Sequence, residues 1–155
     1  MEYLNPIFNE QKVTENNKKA YTVKNTKPRK TRNDKTHNIK FPITNIEKMK
    51  LQSLCRQIKR RQKEKGKEII EQTKLNTLLL EYGLNNPILI KWDKPYRDSK
   101  QYMHTNILET SYDREIGGPF GFSVRKGISD RKTVYIVISS VLDWLEEGGH
   151  IEKIL

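Results

Sequence analysis

The chain has 155 residues, 34% of them hydrophobic and 32% charged, which suits one medium domain or two small ones with a solvated tail. The formal net charge is +11, and a concentrated positive field favours a polyanionic partner. One cysteine, Cys55, excludes an intrachain disulfide, and no apolar run approaches the roughly 18 residues of a membrane span. The opening MEYLNPIFNE carries Glu2 and no long apolar core, so no signal peptide is expected. A cytoplasmic protein without a membrane partner is the expectation.

The charge is unevenly placed. Residues 1–40 hold ten Lys/Arg against four Asp/Glu, and residues 41–86 hold ten against five. Residues 87–155 hold ten of each, so the whole excess lies in the first 86 residues. Releasing the counterions around a nucleic acid is the physical drive that such a partition supplies.

Residues 9–36 are rich in Lys, Asn and Thr and poor in apolar groups. Residues 1–35 therefore read as a disordered basic arm, densest at Lys27, Arg29, Lys30 and Arg32, which are candidate phosphate contacts. In THNIKFP, residues 36–42, Ile39 and Phe41 alternate with Asn38 and Lys40, the period of a strand, and Pro42 ends it. No hairpin partner follows. A lone strand is unstable, so it must pair with something distant or with a second copy.

Thr44 and Glu47 form a capping-box pattern ahead of Leu51, Leu54, Cys55 and Ile58, an apolar stripe at helical spacing. Gly66 stops that helix after a basic run at 59–65. Cys55 lies on the stripe and reads as a small core residue. A second helix carries Leu75, Leu78, Leu79 and Tyr82, with Thr73 as expected N-cap, Gly83 as expected C-cap and Pro87 forbidding continuation.

Beyond Pro87 the pattern changes. Residues 88–92 suit a strand, and Leu108, Tyr112 and Ile116 suit a helix ending at Gly117 and Gly118. Residues 120–124 suit another strand. Residues 130–147 fit one helix, with a β-branched strand followed by a short helix as the rival. Most of the aromatic residues, Trp92, Tyr96, Tyr102, Tyr112, Phe120 and Trp144 among them, lie here, for a second small core or a partner surface. The expected class is α+β, mainly helical: an arm over 1–35, a DNA-binding domain over 36–86, and a small α+β domain over 87–155 for oligomerisation or a partner protein.

Strand, helix, Gly-containing turn and helix follow the order of the ribbon-helix-helix DNA-binding family, which residues 36–83 resemble through THNIKFP, TNIEKMKLQSLCRQIKRR and QTKLNTLLLEYGL. The first helix is longer than the pattern, and Asn76 falls near the packed stripe of the second helix. The resemblance implies a homodimer whose two strands form a ribbon in the major groove. Thr36, Asn38 and Lys40 would then face the bases, since Lys suits guanine, Asn adenine and Thr a thymine methyl. It also implies a phosphate at the N-terminus of the second helix, at Gln72, Thr73 and Lys74.

His37, His104 and His150 are far apart and Cys55 is alone, so no metal or other cofactor is expected. GGPFG at 117–121 has neither P-loop nor dinucleotide-loop spacing. Glu109, Asp113 and Glu115 read as helix-surface carboxylates rather than a nuclease cluster, so no catalytic residue is assigned. The expected function is a dimeric, sequence-specific double-stranded DNA-binding protein. A transcriptional repressor or an accessory to replication, partition or transfer of a plasmid or mobile element would fit. The alternatives are an RNA-binding protein, although no RRM or KH signature is present, and a non-enzymatic interaction module with a basic tether.

Overall fold

In the computed structural model, which describes residues 28–30 and 32–155, the alternation around Ile39 becomes strand β1 (Thr36–Pro42). Its apolar residues Ile39 and Phe41 are buried, while Thr36, Asn38 and Lys40 are exposed. Helix α1 (Asn45–Glu64) starts where the sequence places it. The Thr44 side chain accepts from the Glu47 N–H, and the Glu47 carboxylate accepts from the Thr44 N–H, closing the capping box. Leu51, Cys55 and Ile58 bury its stripe, and Gly66 ends it at φ +62°.

Helix α2 (Gln72–Asn85) follows, then a 3-10 turn at Pro87–Leu89. Strand β2 (Tyr102–Leu108) leads into the short α3 (Glu109–Tyr112), a π-helical turn at Asp113–Gly117 and α4 (Phe122–Lys126). Helix α5 (Asp130–Glu146) is one continuous helix, capped by the Ser129 side chain, and a 3-10 turn at Ile151–Lys153 follows it.

β1 and β2 form a two-stranded antiparallel sheet in the register Thr36↔Leu108, Asn38↔Asn106, Lys40↔His104 and Pro42↔Tyr102. The ladder runs one bond further at each end, from the Glu109 N–H to the Lys35 carbonyl (2.9 Å) and from the Ile43 N–H to the Gln101 carbonyl (3.0 Å). The inner face of Ile39, Phe41, Met103, Thr105 and Ile107 is buried on the helices, with α2 against β2 and α5 against β1. Helix α5 is the centre of this platform. Its residues 133–142 are all buried, as expected of a helix covered on every side.

Several expectations change. Residues 36–86 and 87–155 are not separate domains, because β1 completes its sheet with β2 and both halves supply one hydrophobic core within the unit Arg32–Leu155. The strand expected at 88–92 is the 3-10 turn and a loop, and the one expected at 120–124 is the start of α4. Leu108 ends a strand rather than sharing a helix with Tyr112, although the helical segment does stop at Gly117 and Gly118. The N-cap of α2 is Glu71 rather than Thr73.

Gly83 is no C-cap. It lies inside α2 where that helix crosses α5, and a Cβ there would stand 2.4 Å from Val137 Cγ1 and 2.9 Å from Val141 Cγ2. Hydrogen at Cα is what lets the two helices approach so closely. Of the aromatic residues after Pro87, Trp92, Tyr96, Tyr112 and Trp144 pack against the core, while Phe120 is 83% exposed.

A polar seam fastens α1 to α5. Glu47 accepts from Ser139 (2.7 Å) and Tyr135 (3.1 Å), and Lys94 reaches Ser139 (2.7 Å) and Asp143 (2.7 Å). Burial, with the Glu47 charge beside it, pushes the Tyr135 hydroxyl up to about 12. Near the other end of β2, the Tyr112 hydroxyl donates to Asp130 (2.6 Å), and that bond, with burial, pushes it up to about 12 as well.

Two measurements test this packing. Gly83→Ala gains about 1 kcal/mol of helix propensity, but overpacking against Val137 costs about 1–3 kcal/mol, so denaturant unfolding should show a net loss. Combining it with Val137→Ala should cost less than the sum of the two single changes, whereas strict additivity would place the clash elsewhere. Both tyrosines are raised in the folded state, so their stabilisation is complete below the ordinary tyrosine value of about 10 and is lost as pH rises towards about 12. An absorbance titration should show a late-ionising group of tyrosines, smaller by one in Tyr112→Phe.

Candidate nucleic-acid interface

The outward face of the β1–β2 ribbon carries Thr36, Asn38 and Lys40 from one strand and Tyr102, His104, Asn106 and Leu108 from the other. Because the flanking pairs at 35/109 and 43/101 are hydrogen-bonded, the alternation of an antiparallel ladder makes the outward pairs the non-hydrogen-bonded ones, whose side chains stand closest. Their contacts follow. Asn38 Nδ2 donates to Asn106 Oδ1 at 2.7 Å, and His104 Nδ1 lies 3.3 Å from Asn38 Oδ1. The Lys40 ammonium sits 4.4 Å from the centre of the Tyr102 ring, with the Arg131 guanidinium 6.0 Å from the same ring.

Tyr102 is held in turn by Asp98, to which its hydroxyl donates at 2.8 Å. That bond raises the Tyr102 hydroxyl above its ordinary value. Asp98 is held below the usual carboxylate range, first by the Lys100 N–H and then by Tyr102. Lys100 adopts φ 57° just ahead of β2. At the opposite end Leu108 remains 42% exposed beside Thr36.

Helix α2 closes the outer edge of β2. Asn76, almost fully buried, donates to the His104 carbonyl at 3.1 Å, and the Thr77 hydroxyl accepts from the Asn106 N–H at 2.9 Å. Gln72 donates to Asn76 (3.0 Å), and the Thr73 carbonyl accepts from Thr77 (2.8 Å). Through these bonds the Gln72 side chain and the Thr73 carbonyl support Asn76 and Thr77 at the β2 edge. Lys74 is exposed, and the Glu71 carboxylate, at the N-cap, pairs with Lys59 at 3.2 Å.

The three strand residues singled out in the sequence thus share one exposed face, and the structure adds Tyr102, His104, Asn106 and Leu108 to it. The pairing strand comes from the same chain, so the instability of a lone strand no longer calls for a second copy. Arg29 and Lys30 are exposed, Arg32 is engaged by Asp34 (2.6 Å), and Lys27 lies outside the described residues. Glu109, from the carboxylate group considered above, is taken by His37 (3.2 Å) and Lys35 (3.9 Å). His37 stacks on Tyr112 at 3.7 Å. Among the described residues no cluster of three or more His, Cys, Asp or Glu is arranged to hold a metal, and no helix is long and apolar enough to cross a membrane.

Thr77→Val keeps the shape of the side chain but leaves the Asn106 N–H without its acceptor. It should cost about 1–3 kcal/mol and speed hydrogen exchange at the Asn106 amide. Unchanged exchange there would mean that α2 does not seal the β2 edge.

No protein-family model matches this chain, and comparisons with curated proteins and with solved structures find no match.

Proposed function

We propose that this chain is a sequence-specific double-stranded DNA-binding protein that lays the β1–β2 ribbon in the major groove. The observation that carries the reading is the outward face. It is a two-stranded antiparallel ribbon, the width a major groove accepts, and its exposed row of Asn38, Lys40, His104 and Asn106 is backed by a rigid helical platform. Lys40 and Arg131 over Tyr102 supply positive charge at one end of the row. The basic residues of the first 86 positions supply the sequence-independent attraction to phosphate.

The ribbon-helix-helix resemblance pointed to two strands from two copies. Here one copy supplies both strands, so we extend the DNA-binding part of that reading and not its dimer. A ribbon without two-fold symmetry favours an asymmetric site over a palindrome. Repression of transcription, or an accessory role in plasmid or mobile-element replication, partition or transfer, remains the biological setting we propose.

Selection of bound duplexes from a random pool should enrich one asymmetric sequence. Asn106→Ala should weaken that site by about 1–3 kcal/mol and random DNA far less, read by titration at fixed salt. Equal loss on both, or tighter binding to single-stranded RNA than to any duplex, would sink the proposal.

A further inference from the structure

The outward row is a fixed hydrogen-bonding pattern and not a set of independent side chains. His104 Nδ1 lies within bonding distance of Asn38 Oδ1, and Asn38 Nδ2 donates to Asn106 Oδ1. Each contact takes one of the two lone pairs on an amide oxygen and orients the amide behind it. Asn106 Nδ2 keeps both of its protons, Asn38 Nδ2 keeps one, and the Lys40 ammonium has three donors and no acceptor. Donors therefore outnumber the one lone pair left on each of the two amide oxygens.

Bases differ in what they return to such a face. Guanine shows two acceptors in the major groove, N7 and O6, whereas adenine shows an acceptor and a donor, N7 and the N6 amino group. A free asparagine suits adenine because its oxygen and nitrogen form a matching fork. Here Asn38 occupies the oxygen side of the Asn106 fork from across the ribbon, at 2.7 Å. The His104–Asn38 contact in turn orients the Asn38 amide so that its nitrogen, and not its oxygen, meets Asn106.

We infer that the Asn38–Asn106 cross-strand pair makes guanine the base read at the centre of the ribbon, with Asn106 Nδ2 as the donor and Asn38 as the residue that positions it. This rests on the DNA-binding reading above and names the base it recognises. It differs from assigning Asn38 to adenine, which would need an amide whose oxygen and nitrogen both face the base. Because successive outward pairs lie two residues apart, about 7 Å at strand rise, Lys40 falls about two base steps from Asn106 and can add a second acceptor-rich contact.

The test uses the full chain and duplexes selected from a random pool. Replacing the central guanine of the selected site by 7-deazaguanine, which lacks the N7 acceptor, should weaken binding about ten-fold. Asn38→Ala should keep the fold, since the side chain is exposed, and circular dichroism and thermal melting check that. It frees Asn106 Oδ1, so repeating the selection with this variant should move the preferred central base from guanine to adenine. A wild-type site centred on adenine overturns the inference, as does a variant that keeps guanine or that loses guanine without gaining adenine. In each of those cases the wild-type chain still selects a specific duplex, so the DNA-binding reading stands. If the wild-type chain enriches no duplex, that reading itself fails.

Discussion

The antiparallel pairing of β1 with β2 is the contact on which everything else in the chain depends. It joins segments far apart in sequence, with the Thr105 hydroxyl meeting the Ile39 carbonyl 66 residues away. Two strands alone are marginal in water, and closing so long a loop costs entropy before any contact rewards it. The return comes from the inner face. Phe41 and Ile107 are fully buried, and the surface they meet is made by α2 and α5. Ribbon and platform thus require each other, so neither half of the chain is expected to hold its shape without the other.

The platform is built with the same economy of groups. Glu47 caps α1 with one oxygen, and with the other it accepts from Tyr135 and Ser139 on α5. One carboxylate therefore fixes both where α1 begins and where it rests. Gly83 does the equivalent for α2 by removing a side chain at the crossing with α5. Asn76 and Thr77 then carry the position of α2 into the backbone of β2 at His104 and Asn106, the strand positions that face outward. A disturbance at the α2–α5 crossing has a direct route to the exposed row.

The first half of the fold was legible because its signals are local. Alternation at 36–42, the Thr44 and Glu47 box and the stop at Gly66 each depend on a few adjacent residues. Strand β2 was missed although Met103 and Ile107 keep its period, because Thr105, buried and polar, hides the middle of the pattern and Leu108 lies in phase with Tyr112. Gly83 looked like a helix end because sequence shows a glycine but not the neighbouring helix that requires it. The domain boundary at 86/87 followed a real change in charge, yet charge is a property of the surface and the core crosses it. Thr36, Asn38 and Lys40 could be placed on one face from period alone, whereas His104 and Asn106 needed the pairing register.

That register also limits how many strands the ribbon can have. In an antiparallel pair each strand has an outer edge able to accept another strand. On β2 that edge is taken by Asn76 and Thr77, so a further strand would have to displace α2. Among the described residues the edge left is that of β1, which bears Lys40, and a lysine on an edge strand discourages edge-to-edge pairing. The ammonium is held over Tyr102 and stays solvated on the outward face. The same residue that gives the ribbon its charge thus helps to keep it two strands wide, the width that a major groove admits and a broader sheet would exceed.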